Sequence, residues 1–130
     1  DVSSVTYMDY MFWEATAFNQ DIGSWDVSNV TNMETMFAGA QNFNQNLNNW
    51  DVSNVTNMQS MFRAANAFNQ DIGNWDVNSV TDMDYMFYGT TAFNKDLTQW
   101  CVSNFSLMPD NFSTNSALIQ SNHPVWGTCP

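Results

Sequence analysis

The sequence predicts an α/β repeat solenoid, with one short strand and one short helix in each 25-residue coil and a C-terminal cap. Three observations carry that prediction. Trp25, Trp50, Trp75 and Trp100 fall 25 residues apart, and the chain aligns without a gap in blocks of that length from Asp1 to Trp100. Apolar residues recur in fixed columns: Val2, Val27, Val52, Val77 and Val102; Met8, Met33, Met58, Met83 and Met108; Phe12, Phe37, Phe62, Phe87 and Phe112. Within each block the apolar spacing then changes from alternation to steps of three and four.

The elements follow in order. In Ile22–Val27, Trp25 and Val27 alternate with Ser24 and Asp26, as in a short strand with Trp and Val facing inward. Val30, Met33, Met36, Phe37 and Ala40 then step as one face of a two- to three-turn helix. Ser28 or Asn29 would cap its start, and Gly39, matched by Gly89 two coils on, would close it. Gln41–Leu47 returns the chain to the next strand, and Phe43 and Leu47 extend the core columns. A strand on one side and a helix on the other, at this period, give a curved, leucine-rich-repeat-like coil. The organisation is four whole repeats (1–25, 26–50, 51–75, 76–100) and, over 101–130, a partial fifth repeat that keeps Val102, Met108 and Phe112 before it becomes a cap. A single repeat cannot bury its own apolar face, so the coils must stack.

Composition removes several functions. Thirteen acidic side chains against two basic ones give a formal charge of −11, and only Arg63, Lys95 and His123 could meet a phosphate. Nucleic acid and anionic lipid surfaces are therefore excluded as partners. No apolar run is long enough to span a membrane. Aromatics at 15% and apolar residues at 44% argue for a packed core rather than an acidic disordered tail. Charged residues make up only 12%; polarity comes instead from amides and hydroxyls, with 19 Asn. The chain does not open on Met and carries no signal peptide, which reads as a processed product or an excerpt.

The block shown in full by Trp50–Ile72 reads W-D-V-S-N-V-T-N-M-x-x-M-F-x-x-A-x-x-F-N-Q-D-I, and Met58–Phe68 parallels the I-x-x-A-F-x-x-C-x-x-L core of a leucine-rich class. This unit resembles the 25-residue repeat of BspA-like bacterial, mycoplasmal and algal surface proteins, over Asp1–Trp100. The resemblance implies an exposed, secreted or surface-anchored protein that binds other molecules or builds surface layers, without enzymatic activity.

Several repeated columns are candidates for function. Asp26, Asp51 and Asp76, with Asp1, would stand outward on adjacent strands about 5 Å apart. Such a row either caps each local turn or holds a cation, calcium being the one cofactor with matching oxygen preference. A second column, Asp21, Asn46, Asp71 and Asp96, is compatible with either. Asn19, Asn44, Asn69 and Asn94 follow the second Phe column and read as an inward ladder whose amides satisfy the backbone of neighbouring coils. Asn29, Asn54, Asn104 and Asn111 begin N-x-S/T sequons, open to glycosylation in a eukaryotic secretory product or else part of the repeated turn. Cys101 and Cys129 bracket the divergent ending and are expected to pair, closing the cap in an oxidising compartment. The Met columns, at core spacing beside Phe, read as packing rather than as a copper site. His123 is alone, and no catalytic group stands out.

These readings converge on a non-enzymatic extracellular or cell-surface protein that acts as a binding or adhesion module toward a protein or glycan surface. The alternative is a structural subunit that self-associates end to end into a filament or coat, stacking through an open N-terminal coil against which the capped C-terminal end contrasts.

Overall fold

The computed structural model describes residues 1–130. It overturns the predicted secondary structure. The sole regular element is a 3-10 turn at Gln120–Asn122. Strand-like pairing is confined to isolated parallel bridges joining Tyr7, Asn32, Asn57 and Asp82 in succession. No helix forms over 30–40 and no strand over 22–27. The leucine-rich-repeat-like α/β solenoid is therefore not what this chain makes. None of its 56 backbone–backbone hydrogen bonds lies inside a helix or strand.

Successive 25-residue coils are built from consecutive tight turns instead. In the second coil, the N–H groups of Met36, Ala38 and Ala40 close four-residue turns onto the carbonyls of Met33, Thr35 and Phe37. The alternate N–H groups, of Met33, Thr35, Phe37 and Gly39, donate to Asn57, Gln59, Met61 and Arg63 in the next coil. A helix would have spent both sets on its own i−4 carbonyls. Here half of the donors are turned outward, and each coil is bonded to its neighbour.

That alternation requires left-handed backbone at two columns. One holds Tyr10, Thr35, Ser60 and Tyr85, with φ of 55–59°. The other holds Glu14, Gly39, Ala64 and Gly89. A non-glycine residue in this region costs about 1–2 kcal/mol, offset by the bonds that each coil makes to the next. Gly39 and Gly89, expected to close a helix, sit in the second of these columns.

Side-chain amides and carboxylates hold the remaining corners. Asp26 Oδ1 accepts from the backbone N–H and hydroxyl of Ser28, and Asp51 does the same with Ser53. Asn32, Asn57 and Asp82 accept from the N–H two residues on. Asp21, Asn46, Asp71 and Asp96 do likewise. Each is an Asx turn, in which the side chain mimics a backbone turn. Gly23 and Gly73 stand where the next coil's backbone presses closest: a Cβ on Gly73 would lie 2.5 Å from the Asp96 carbonyl oxygen.

One continuous core runs from Met8 to Leu118. Phe12, Phe37, Phe62 and Phe87 stack nearly parallel with centroids 5.5–5.8 Å apart, and Phe18, Phe43, Phe68 and Phe93 form a second pile beside them. Trp50, Trp75 and Trp100 are buried. Their indole N–H groups donate to the Ile22, Leu47 and Ile72 carbonyls in the preceding coil, so burial leaves no orphan donor there.

The last thirty residues slip register by one. Tyr85 and Gly89 would map 25 residues on to 110 and 114, yet the matching left-handed residues are Asn111 and Asn115. The Phe112 N–H bonds the Pro109 carbonyl as Met86 bonds Met83, so Phe112 occupies the Met column, not the Phe column. Its ring meets Phe87 edge-on at 86°, which ends the parallel pile. Met108, assigned by spacing to the Met column, is 48% exposed. Trp126 packs edge-on against Phe105 and Phe112 over this end of the core. Cys101 and Cys129 are joined in a disulfide. No helix is long and apolar enough to cross a membrane.

Candidate functional site: an aromatic slot across the first three coils

The repeated polar columns are mostly spent on the fold. Asp26, Asp51 and Asp76 each hold their own turn through the residue two positions on. Hydrogen bonds from the Ser28 side chain and backbone hold the Asp26 carboxyl below the usual carboxylate value. Ser53 does the same for Asp51, against slight desolvation and weak repulsion from Asp26. No group of three or more His, Cys, Asp or Glu side chains converges as a metal site would require.

The Asn19, Asn44, Asn69 and Asn94 row links coils, but along the surface rather than the interior. Asn19 Oδ1 accepts from Asn44 N–H, Asn44 from Asn69, Asn69 from Asn94, and Asn94 from Ile119 in the cap. Gln45 and Gln70 add amide bonds to the same oxygens. The expectation of an inward ladder thus gives way to an edge-on one with Asn19, Asn44 and Asn94 exposed. The turn preceding each Asn places the Phe inward, so the amide reaches the rim where neighbouring backbone N–H groups point.

All four sequon asparagines are exposed. Asn29, Asn54 and Asn104 donate from Nδ2 to the Ser3, Ser28 and Asn78 carbonyls of the preceding coil. Asn111 lies at φ 52° and accepts at Oδ1 from the Thr114 hydroxyl. In the cap, His123 Nε2 stands 3.1 Å from Ser113 Oγ. Burial depresses its pKa below 6.5, partly opposed by the Leu118 backbone. Its Nδ1 meets no carboxylate, so the pair lacks the acidic member of a nucleophilic triad.

The concave feature of the molecule lies elsewhere, across coils one to three. It is a slot of about 510 Å³ lined by Tyr10, Trp13 and Glu14 from the first coil, Ala38 and Gly39 from the second, and Arg63 from the third, among others. Its shape follows from one column. Trp13, Ala38 and Arg63 are successive members, so a small residue forms the floor between two large walls. Walls two coils apart stand about 10 Å from one another at the usual spacing of adjacent extended chains. Gly39 adds room: a Cβ there would meet Glu14 Cγ at 3.2 Å.

The first-coil wall is aromatic and acidic. The Tyr10 and Trp13 rings stand at 89° with centroids 5.8 Å apart. Tyr10 is 48% and Trp13 54% exposed. The Tyr10 hydroxyl donates to Glu34, whose other oxygen accepts from Asn57. On the far wall Arg63 leans away from the slot, over Tyr85 and Tyr88 of the fourth coil. None of the slot residues stands out as a binding candidate in the sequence, where Gly39 reads only as a helix end and Arg63 only as a rare base. The signal was variability: the columns Tyr10, Thr35, Ser60, Tyr85 and Trp13, Ala38, Arg63, Tyr88 change from coil to coil while the columns around them repeat.

The comparisons with known proteins return one family, described as Mycoplasma protein of unknown function, DUF285, matched over residues 1–57 and, in an overlapping span, 22–126. No curated protein and no solved structure matches the chain significantly.

Proposed function

The chain belongs to the DUF285 family, and from that premise we propose that it is a non-enzymatic extracellular binding module, related to BspA-like surface proteins, that engages a partner through the slot. The observation that carries this reading is the exposed aromatic pair Tyr10 and Trp13, set beside Glu14 and Glu34 in the slot. Of the eight exposed large hydrophobic side chains, Tyr10 and Trp13 line the slot, while Tyr7 and Met11 in the first coil and Leu107, Met108, Ile119 and Val125 in the cap lie outside it. Aromatic side chains beside fixed polar groups in a concave site are the usual makings of a recognition surface. The Cys101–Cys129 disulfide supports an oxidising, extracellular setting.

Surface plasmon resonance against immobilised extracellular proteins and glycans tests the proposal. The Tyr10→Ala/Trp13→Ala double variant is expected to lose at least about tenfold in affinity, the scale of one or two hot-spot aromatics. Unchanged binding by a folded double variant would overturn it.

A second reading, the structural subunit, is favoured by a separate observation. Phe12, Phe18 and Trp25 are only partly buried, while their equivalents in the second coil, Phe37, Phe43 and Trp50, are closed over. That face suits another coil stacked upon it, from a preceding repeat of the same chain or from a second copy. Light scattering across a concentration series distinguishes the readings: growth in mass supports stacking, and a monodisperse monomer removes it.

A further inference from the structure

Tyr10 and Trp13 have counterparts three coils away. Tyr85 lies in the column of Tyr10, and Tyr88 in the column of Trp13. The two pairs have nearly the same ring separation, 5.8 Å for Tyr10–Trp13 and 5.7 Å for Tyr85–Tyr88, but their ring planes differ, at 89° and 55°. The fourth-coil pair is occupied: the Arg63 guanidinium carbon lies 5.9 Å from the Tyr85 centroid and 5.5 Å from that of Tyr88. Both distances fall within cation–π range. Accordingly Tyr85 and Tyr88 are half-buried, whereas Tyr10 and Trp13 are open.

We infer that the Tyr10–Trp13 pair is a receptor for an arginine side chain of a protein partner, which enters over Ala38 and Gly39 from the second-coil side, whereas Arg63 reaches Tyr85 and Tyr88 from the coil that precedes them. Three features favour a cation there. Trp offers a stronger π face than Tyr. Glu14 and Glu34 line the same slot and supply carboxylates for a bidentate guanidinium contact. The whole chain carries a formal charge of −11, which draws basic partners toward it. The small floor of Ala38 and Gly39 leaves space for the aliphatic stem of an arginine to lie along the slot. This inference rests on the slot being a binding site and names the chemistry that it selects.

The test is a titration of the folded protein with the peptide acetyl-Gly-Arg-Gly-amide, followed by the Trp13 indole N–H in two-dimensional NMR. Its citrulline analogue, of matching shape without charge, is the control, and a neutral oligosaccharide is the third arm. The expected result is a saturable shift of Trp13 and of slot amides with the arginine peptide, weakened at least about tenfold by citrulline and by Glu14→Gln/Glu34→Gln. Arg63→Ala should vacate the fourth-coil pair, so that the peptide also shifts Tyr85 and Tyr88 in that variant. Equal binding of the citrulline peptide, or no saturable shift with arginine, overturns the inference. If the oligosaccharide saturates the slot and arginine does not, arginine recognition fails while the binding-module reading stands. If Arg63→Ala gains no response at Tyr85 and Tyr88, the equivalence of the two pairs fails with it.

Discussion

Coils two to four and the cap over 101–130 solve opposite problems with the same materials. The coils must be identical enough to stack indefinitely, and they are: Phe37, Phe62 and Phe87 lie ring on ring, and every second N–H in the turn-rich arc, Met83 excepted, crosses to the next coil. The cap must offer no such face. One extra residue before Pro109 moves Phe112 into the Met column, and its ring turns edge-on to Phe87. The Asn ladder nevertheless continues across the junction, through Ile119 N–H to Asn94 Oδ1. Termination therefore acts on the aromatic core while sparing the hydrogen-bonded rim. A single-residue insertion is sufficient, because the stack depends on column register.

The largest effect should come from breaking the pile at its centre. Phe62 stacks on Phe37, Phe68 and Phe87. Phe62→Ala is expected to cost about 3–5 kcal/mol in urea unfolding, as for other buried Phe truncations. Phe112→Met, which restores the residue type of the column that it occupies, should cost less than about 1.5 kcal/mol. Equal losses at the two positions would show that the cap ring belongs to the pile after all.

Next in size is the cap closure. Cys101 and Cys129 are separated by 28 residues, and the loop-entropy estimate for such a crosslink is about 3–4 kcal/mol, with measured cases scattering widely. A Cys101→Ser/Cys129→Ser variant should lose roughly that much, with hydrogen exchange rising first at the Val102 and Thr128 amides. Uniform acceleration through all coils would mean that the disulfide supports the stack and not the cap alone.

Close approach between coils predicts a smaller loss. Gly73→Ala drives a Cβ against the Asp96 carbonyl, and overpacking of this sort costs about 1–3 kcal/mol. The same change at Gly89, where the nearest atom to an added Cβ is 4.0 Å away, probes backbone strain at φ 68° instead.

Acidity separates the two regions most gently. Asp26, Asp51 and Asp96 have depressed folded-state pKa values because their turns donate hydrogen bonds to them. Their contribution is present above the unfolded value and is lost as pH falls through the folded one, so the coils should weaken only below about pH 4. His123 also has a depressed value, but there the unfolded state takes the proton first. Stability should decline from near pH 6.5 downward. Melting curves from pH 7 to 3 should show both phases, and His123→Gln should remove the upper one alone.

How much of this was legible beforehand depends on what each signal encodes. The core columns could be read because burial constrains residue type directly: Val27, Met33, Phe37, Phe43, Leu47 and Trp50 are all interior. The helix was misread because steps of three and four suit consecutive four-residue turns as well as an α-helix. What decides between them is the left-handed backbone at Thr35, Ser60 and Tyr85, and none of those residue types announces it. The Asn32, Asn57 and Asp82 turns do form a column in the sequence, with a side chain in each able to close an Asx turn. The slot was hidden for a different reason: its aromatic wall, Tyr10 and Trp13, sits in columns where the repeat is broken.

The central structural claim is that turns, with donors alternating between their own coil and the next, replace the helix in each repeat. Backbone NMR of Val30–Ala40 tests it most directly. The expected result is no continuous run of helical Cα shifts, positive φ at Thr35 and Gly39, and a Phe37 amide protected by the Met61 carbonyl across the coil boundary. An unbroken helical signature from Val30 to Ala40, with Phe37 bonded within its own coil to Met33, would contradict it.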